Sequence, residues 1–204
     1  MVAEAAPARR PAAAGWWRRA ALLLGIAIAV PLSAQPVGDR EMQVEAAFLV
    51  NFVRYAEWPR QRFDGPDDPY VIAVVGSDTV ADTIAAIARA AGPIQGRRIE
   101  VRRVELRGSA SERRAATEYL RNSHVAFLPA GGRASPRELL RILGDAPVLT
   151  VSDAPGFAAA GGMLGLVRAG PRMAFEANPG AMQACGVSLS AKVLKLARIR
   201  EGGP

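Results

Sequence analysis

Between residues 70 and 151 this chain alternates short β-branched runs with segments of helical periodicity, and that alternation restricts the fold more than any other feature. Tyr70 to Val75 is a continuous strand-like run ending at Gly76-Ser77-Asp78, after which Thr79 to Ala90 carries Val80, Ile84 and Ile87 at helical spacing. The unit recurs with Arg98 to Leu106 as strand and Ser111 to Arg121 as helix. It recurs again with His124 to Leu128 as strand and Pro136 to Leu143 as helix, and Pro147 to Val151 supplies a fourth strand. Short connections leave a crossover helix as the way to set consecutive strands side by side in one direction. A mainly parallel sheet covered by helices follows.

After Ser152-Asp153 the period changes. Phe157 to Gly162 reads as a short helical turn, and Met163 to Val167 and Arg172 to Ala177, separated by Arg168-Ala169-Gly170-Pro171, read as a β-hairpin. Asn178 and Pro179 match an N-cap and first helical residue, Gly186 is a break, and Ser188 is expected to cap a terminal helix bearing Val193, Leu194, Leu196 and Ala197. Lys192, Lys195 and Arg198 suit the negative pole of that helix. Upstream, Glu41 to Trp58 is predicted as a helix stopped by Pro59. Val44, Phe48, Phe52 and Tyr55 form one stripe, while Leu49, Val50, Val53 and Trp58 fill other faces, so this helix is buried on most sides or lies in an interface. The expected fold class is α/β: a mainly parallel sheet from βα repeats covered by helices, with a C-terminal β-hairpin and terminal helix.

The first forty residues stand apart. Arg9, Arg10, Arg18 and Arg19 precede the apolar run Ala20 to Val30, and Pro31-Leu32-Ser33-Ala34 gives a small-residue end of the kind cut by a signal peptidase. The run is too short to span a bilayer comfortably. Residues 1–34 are therefore expected to be a signal peptide, with a retained N-terminal anchor as the other reading. The export route is open, since Arg18-Arg19 also fits a twin-arginine leader. Residues 35–40 read as a linker and 41–204 as a single domain.

This division changes what the charge means. The whole chain has 26 Lys+Arg against 19 Asp+Glu, a net +7 that suggests nucleic acid. Removing residues 1–34 takes away four Arg and one Glu, leaving 22 basic against 18 acidic residues on the rest. The case for nucleic acid mostly disappears, and none is expected as a partner.

Chemistry is equally restricted. One Cys and one His cannot supply a CxxC site, an HExxH site or a two-histidine metal triad, so no metal and no cofactor is expected. In a parallel sheet ligands sit outside the carboxyl ends of the strands, which singles out Gly76 to Asp78, Arg107 to Ser109, Pro129 to Arg133 and Ser152-Asp153. Gly76-Ser77-Asp78 could hold an anion or simply cap its helix; without GxGxxG or GxxxxGK[ST] the cap is preferred. The single His124 opens its strand, at the edge opposite Ser152 and Asp153, and no GxSxG elbow is present, so a hydrolytic triad is not expected. Cys185 reads as a small buried residue rather than a reactive thiol.

Alternation along the last hairpin strand sends Met173, Phe175 and Ala177 to the core, and Arg172, Ala174, Glu176 and Asn178 to the other face. Arg172, Glu176 and Asn178 then form either a solvated face or a polar groove. Together with Arg54 and Trp58 of the first helix they are the candidate partner- or ligand-binding residues.

Several segments taken together also resemble one family. They are Val44 to Pro59 (Val-Glu-Ala-Ala-Phe-Leu-Val-Asn-Phe-Val-Arg-Tyr-Ala-Glu-Trp-Pro), Val71 to Gly76, Gly96 to Val101, Pro147 to Asp153 (Pro-Val-Leu-Thr-Val-Ser-Asp), Gly161-Gly162-Met163, Arg172 to Asn178 and Ser188 to Ala197. In this order they resemble the YfiR-like family, periplasmic proteins whose named member represses a membrane diguanylate cyclase. Relatives with Cys near Asn122-Ser123-His124 have pairs that this chain lacks, so disulfide control is not implied. The resemblance implies a non-enzymatic, exported regulator. It would bind the periplasmic domain of a membrane diguanylate cyclase and repress cyclic-di-GMP synthesis and hence biofilm formation, touching the membrane only through that partner. Homodimer formation is left open, and a periplasmic small-molecule binding module is the alternative.

Overall fold

The computed structural model describes residues 37–201, so the leader expected at 1–34 lies outside the described residues. Helix α1 spans Val37–Tyr55, starting inside the segment expected to be linker and ending three residues before Trp58. The residue before a proline is pushed out of the helical region. The chain accordingly extends ahead of Trp58-Pro59, and Ala56–Glu57 becomes a short strand, β1. The Val44, Phe48, Phe52, Tyr55 stripe is buried only in its middle: Val44 and Tyr55 are exposed, while Phe52 is buried and Phe48 packs against the core. Ala46, Leu49, Val50 and Val53 are buried with Phe52, so the apolar face of α1 is broader than that one row.

The βα repeats form as expected. Strand β2 (Tyr70–Val75) leads to α2 (Asp78–Ala91), whose Ala81, Ile84 and Ala88 are buried at helical spacing. Strand β3 (Ile99–Val104) leads to α3 (Ala110–Asn122), opened by a capping box in which Ser109 and Glu112 satisfy each other's backbone N–H. Strand β4 (Val125–Leu128) leads to α4 (Pro136–Leu143), with Ser135 as cap, Pro136 in the first turn, and Leu139 and Leu143 on its buried face. Strand β5 is Leu149–Ser152.

Strands β6 (Leu164–Ala169) and β7 (Arg172–Ala177) form the antiparallel hairpin. Asn178 caps α5 (Pro179–Ala184). The terminal segment departs from expectation. Ser188 does not cap a helix but lies with Leu189 in strand β8 (Ser188–Leu189), paired antiparallel with β1 through Ala56↔Leu189. Only a single turn, α6 (Ala191–Leu194), follows Ser190, and Arg198–Ile199 then forms β9 beside β7. An isolated helix of this length is not stable by itself, so the ladder hydrogen bonds on either side decide the conformation.

The main sheet has the order β3-β2-β4-β5-β6-β7-β9. Its first five strands are parallel neighbours, arranged in the order of flavodoxin-like folds. Both faces are covered, which explains why β4 and β5 are buried at every residue. Ile72, Val74, Val125, Phe127, Leu149 and Val151 point into one core, with α1, α2 and the C-terminal elements. Ala73, Val75, Ala126 and Leu128 point into the other, beneath α3 and α4.

Candidate functional site

The direction of chain winding reverses at β2, since β3 lies on one side of it and β4 on the other. Outside the carboxyl ends of these strands is a cleft of about 250 Å³, lined by Gly76, Arg103, Glu105, Arg107, Arg133 and Glu138 among others. This is the crevice where open α/β sheets place ligands. Arg103 is paired with Asp78 at 3.1 Å and with Glu105, and Arg107 Nη2 donates to the backbone oxygen of Arg133 at 3.1 Å. Asp78 and Glu105 therefore neutralise Arg103, whereas Arg107 and Arg133 make no ion pair among the described residues. No nucleophile with an adjacent base lines the cleft.

The other loop candidates at this edge have structural duties. Ser77 Oγ accepts from Val80 N and so caps α2. Ser152 Oγ donates to Leu128 O at 2.7 Å and accepts from Ala154 N at 3.0 Å, while Asp153 accepts from Ala130 N at 2.5 Å. These bonds tie the β4 and β5 loops together.

His124 lies at the opposite edge, as expected, in an aromatic nest. Its ring stacks on Phe63 with centroids 4.7 Å apart and meets Trp58 and Tyr70 edge-on at 5.5 and 5.6 Å. Nδ1 accepts from Val71 N at 3.1 Å, which leaves the proton of the neutral ring on Nε2. Burial, helped by the nearby charges of Arg62 and Arg97, lowers its pKa to about 4. The Arg62 backbone is close enough to oppose this slightly, yet Nε2 has no hydrogen-bond partner among the described residues.

The structure does not gather the five candidate residues into one groove. Trp58 belongs to the histidine nest, donating from Nε1 to His124 O at 3.0 Å. Glu176 and Asn178 are 7% and 3% exposed, so the solvated-face alternative does not hold for them. Glu176 accepts from Arg200 Nε and Nη2 at 2.9 and 2.7 Å, an attachment made possible by β9, a strand where the sequence pattern predicts a helix end. Asn178 accepts from Ala181 N at 3.0 Å and donates from Nδ2 to Ala158 O at 3.1 Å. Arg172 is exposed at the hairpin turn, beside Arg40, Glu41, Val44 and Arg168 in a shallow cavity of about 170 Å³. Arg54 is exposed in the last turn of α1.

Sequence reading missed an apolar groove of about 420 Å³ between α5, β8 and α6, lined by Pro179, Met182, Val187, Leu189 and Leu194 among others. Leu196, two residues after Leu194, is 75% exposed, and Ile199, 52% exposed, lines a second cavity that shares Pro179 with this groove. Ser190 N donates to Tyr55 O at 2.9 Å, which brings the exposed end of α1 alongside this region. The signal was present in the Val193, Leu194, Leu196, Ala197 run: a one-turn helix cannot turn all four residues to the core.

Among the described residues no group of three or more His, Cys, Asp or Glu is arranged to hold a metal ion, and no helix is long and apolar enough to cross a membrane. Burial, and secondarily the charge of Asp145, raises the pKa of Cys185, which makes the thiol less nucleophilic.

Fold and surface together define a helix-covered α/β domain with a polar cleft at the winding reversal and an apolar groove near its C-terminal elements. The family model described as YfiR/HmsC-like matches residues 42–198, and the chain belongs to that family. The family is regulatory, periplasmic and acts with a membrane signalling partner in diguanylate cyclase signalling. Among solved structures the chain is similar to a conserved domain protein from Vibrio cholerae O1 biovar El Tor, with a TM-score of 0.51 and 10% identity over 78% of this chain and 60% of that one. The chain thus spans about 60% of that protein's length, and the likeness shows the fold.

Proposed function

We propose that this protein is an exported, non-enzymatic regulator that binds the periplasmic domain of a membrane diguanylate cyclase and represses cyclic-di-GMP synthesis. Residues 1–34 act as its signal peptide, removed near Gln35. The observation that carries the docking step is the apolar groove between α5, β8 and α6, with Leu196 and Ile199 exposed beside it. A polar rim around an apolar centre is the anatomy of a protein interface. Repression further requires tighter binding to the inactive arrangement of the cyclase, because only differential affinity shifts an equilibrium.

Deleting the gene is expected to raise cyclic-di-GMP and surface adhesion. Leu196→Glu should mimic deletion while leaving the fold intact, since the side chain is mostly in solvent and a lost interface anchor weakens binding by roughly 30-fold or more. Charge reversal at Arg54 or Arg172 tests the rim. Glu176 and Asn178 are unsuited to such tests because each is buried and bonded. Unchanged cyclic-di-GMP after deletion, with every diguanylate cyclase present, would reject repression. The second reading, a small-molecule binding module, is supported by the cleft at the winding reversal, with Arg107 and Arg133 as its recognition groups.

A further inference from the structure

Charge is distributed very unevenly over this fold. Residues 97–141 hold eleven Arg and five Glu, a net +6, whereas the remaining described residues hold eleven basic and thirteen acidic groups, a net −2. Most of the basic segment is contiguous in space as well as in sequence; Arg97, over Phe63, and Arg103, paired with Asp78, lie apart from it. It comprises the edge strand β3, then α3, β4 and α4, and the two helices lie side by side over one core of Leu120, Leu139 and Leu143. Their outward faces therefore make one surface. Arg102 extends it to the sheet edge, its guanidinium 5.3 Å above the Tyr119 ring and paired with Glu100 at 3.5 Å.

The acids on this layer offset only part of the charge. Glu112 is folded back onto Ser109, and Asp145, just past α4, is paired with Arg121 at 3.3 Å, which leaves Glu118 and Glu138. Against them, Arg114, Arg133, Arg137 and Arg141 make no ion pair or side-chain hydrogen bond among the described residues, and Arg113 donates to a backbone oxygen. All the cations are arginines, whose planar fork suits phosphate. The surface also lacks what a protein interface needs at its centre. The large exposed hydrophobic residues are Val44, Tyr55, Leu196 and Ile199, none of them in this layer.

We propose that the α3–α4 face rests on an anionic phospholipid leaflet, holding the regulator against the membrane by charge alone while its apolar groove stays free for a protein partner. This departs from the expectation of membrane contact only through that partner. The choice of lipid over a soluble polyanion rests on the periplasmic, membrane-partnered reading of the family. Confinement at the surface raises the effective concentration near any membrane partner without a new protein contact.

Co-sedimentation of the exported protein with vesicles of phosphatidylcholine, with and without phosphatidylglycerol, tests the idea without any cyclase present, so its failure leaves the repressor reading standing. Binding should require phosphatidylglycerol and vanish as salt is raised, because no apolar side chain inserts. Each arginine at an anionic surface contributes roughly a factor of five, so R114Q/R137Q/R141Q should lower partitioning about a hundredfold. The charge-matched control R40Q/R89Q/K195Q, on other elements, should change it less than fivefold, with circular dichroism confirming both folds. Equal binding to neutral vesicles, salt-insensitive binding, or equal losses in the two triple variants would overturn the proposal. Absence of vesicle binding, with loss of an acidic protein from pull-downs by R114Q/R137Q/R141Q, would overturn it in favour of a protein partner.

Discussion

Gly162→Ala is expected to destabilise the protein by about 3 kcal/mol, a large effect for a single methyl group. A Cβ built at Gly162 would lie 2.2 Å from Phe157 Cε1, 2.4 Å from Cδ1 and 2.6 Å from Cζ. Phe157 is 1% exposed, so its ring has no free volume to move into. The neighbouring Gly161→Ala meets nothing closer than Leu140 Cδ1 at 3.9 Å, but its backbone sits at φ +97°, which costs on the order of 1 kcal/mol. Urea unfolding should rank the two variants in that order. Phe157→Leu/Gly162→Ala should be more stable than the sum of its single variants, because the smaller side chain vacates the space that the new methyl needs. Equal, small losses at both glycines would show that the ring contact does not govern this turn. The Gly161-Gly162-Met163 motif thus contains two glycines for two different reasons, one conformational and one steric.

The second large effect is a loss of stability in acid, centred on His124. Its folded pKa is about 4, against about 6.5 for an unfolded chain. Above pH 6.5 the ring is neutral in both states and pH has no effect through this group. Between 6.5 and 4 the unfolded chain takes up a proton that the folded one refuses, so stability falls with pH and levels off below the folded pKa. The total is about 3 kcal/mol. His124→Gln keeps an acceptor for Val71 N and cannot titrate, so its unfolding free energy should lack this component. Parallel pH profiles of the two proteins would refute a neutral, buried His124.

Glu45 acts in the opposite direction. Burial, then repulsion from Asp153 and Glu41, raises its pKa to about 7, against attraction by Arg168. The folded state keeps the proton that the unfolded chain loses above about 4.5, so this contribution is fully present below that value and is lost as pH rises to 7. Because Glu45 is only partly buried, the effect is smaller than the pKa suggests. Glu45→Gln should raise the melting temperature at pH 8 and leave it nearly unchanged at pH 4.5.

His124 and Glu176 mark how far sequence reading reached. The single His was placed correctly at the edge opposite the strand-end loops, because strand polarity is local information. That Trp58, Phe63 and Tyr70 converge on it from three separate segments was not visible, since ring contacts depend on how those segments cross in space. Glu176 illustrates the same limit. Period-2 alternation assigns its face, but its burial depends on β9 arriving beside β7 with Arg200.

By itself the sequence determined the βα repeats, the parallel sheet, the hairpin and the caps at Ser77 and Asn178, because each is set by interactions within a few residues or by a period that only one kind of element satisfies. Tertiary structure alone decided which side of α1 is buried, that Ser188–Leu189 joins β1 rather than capping a helix, and that the terminal segment ends as an edge strand beside β7. In those short segments local preferences differ by less than a single ladder of hydrogen bonds contributes, so the outcome belongs to whichever partner the rest of the fold brings alongside.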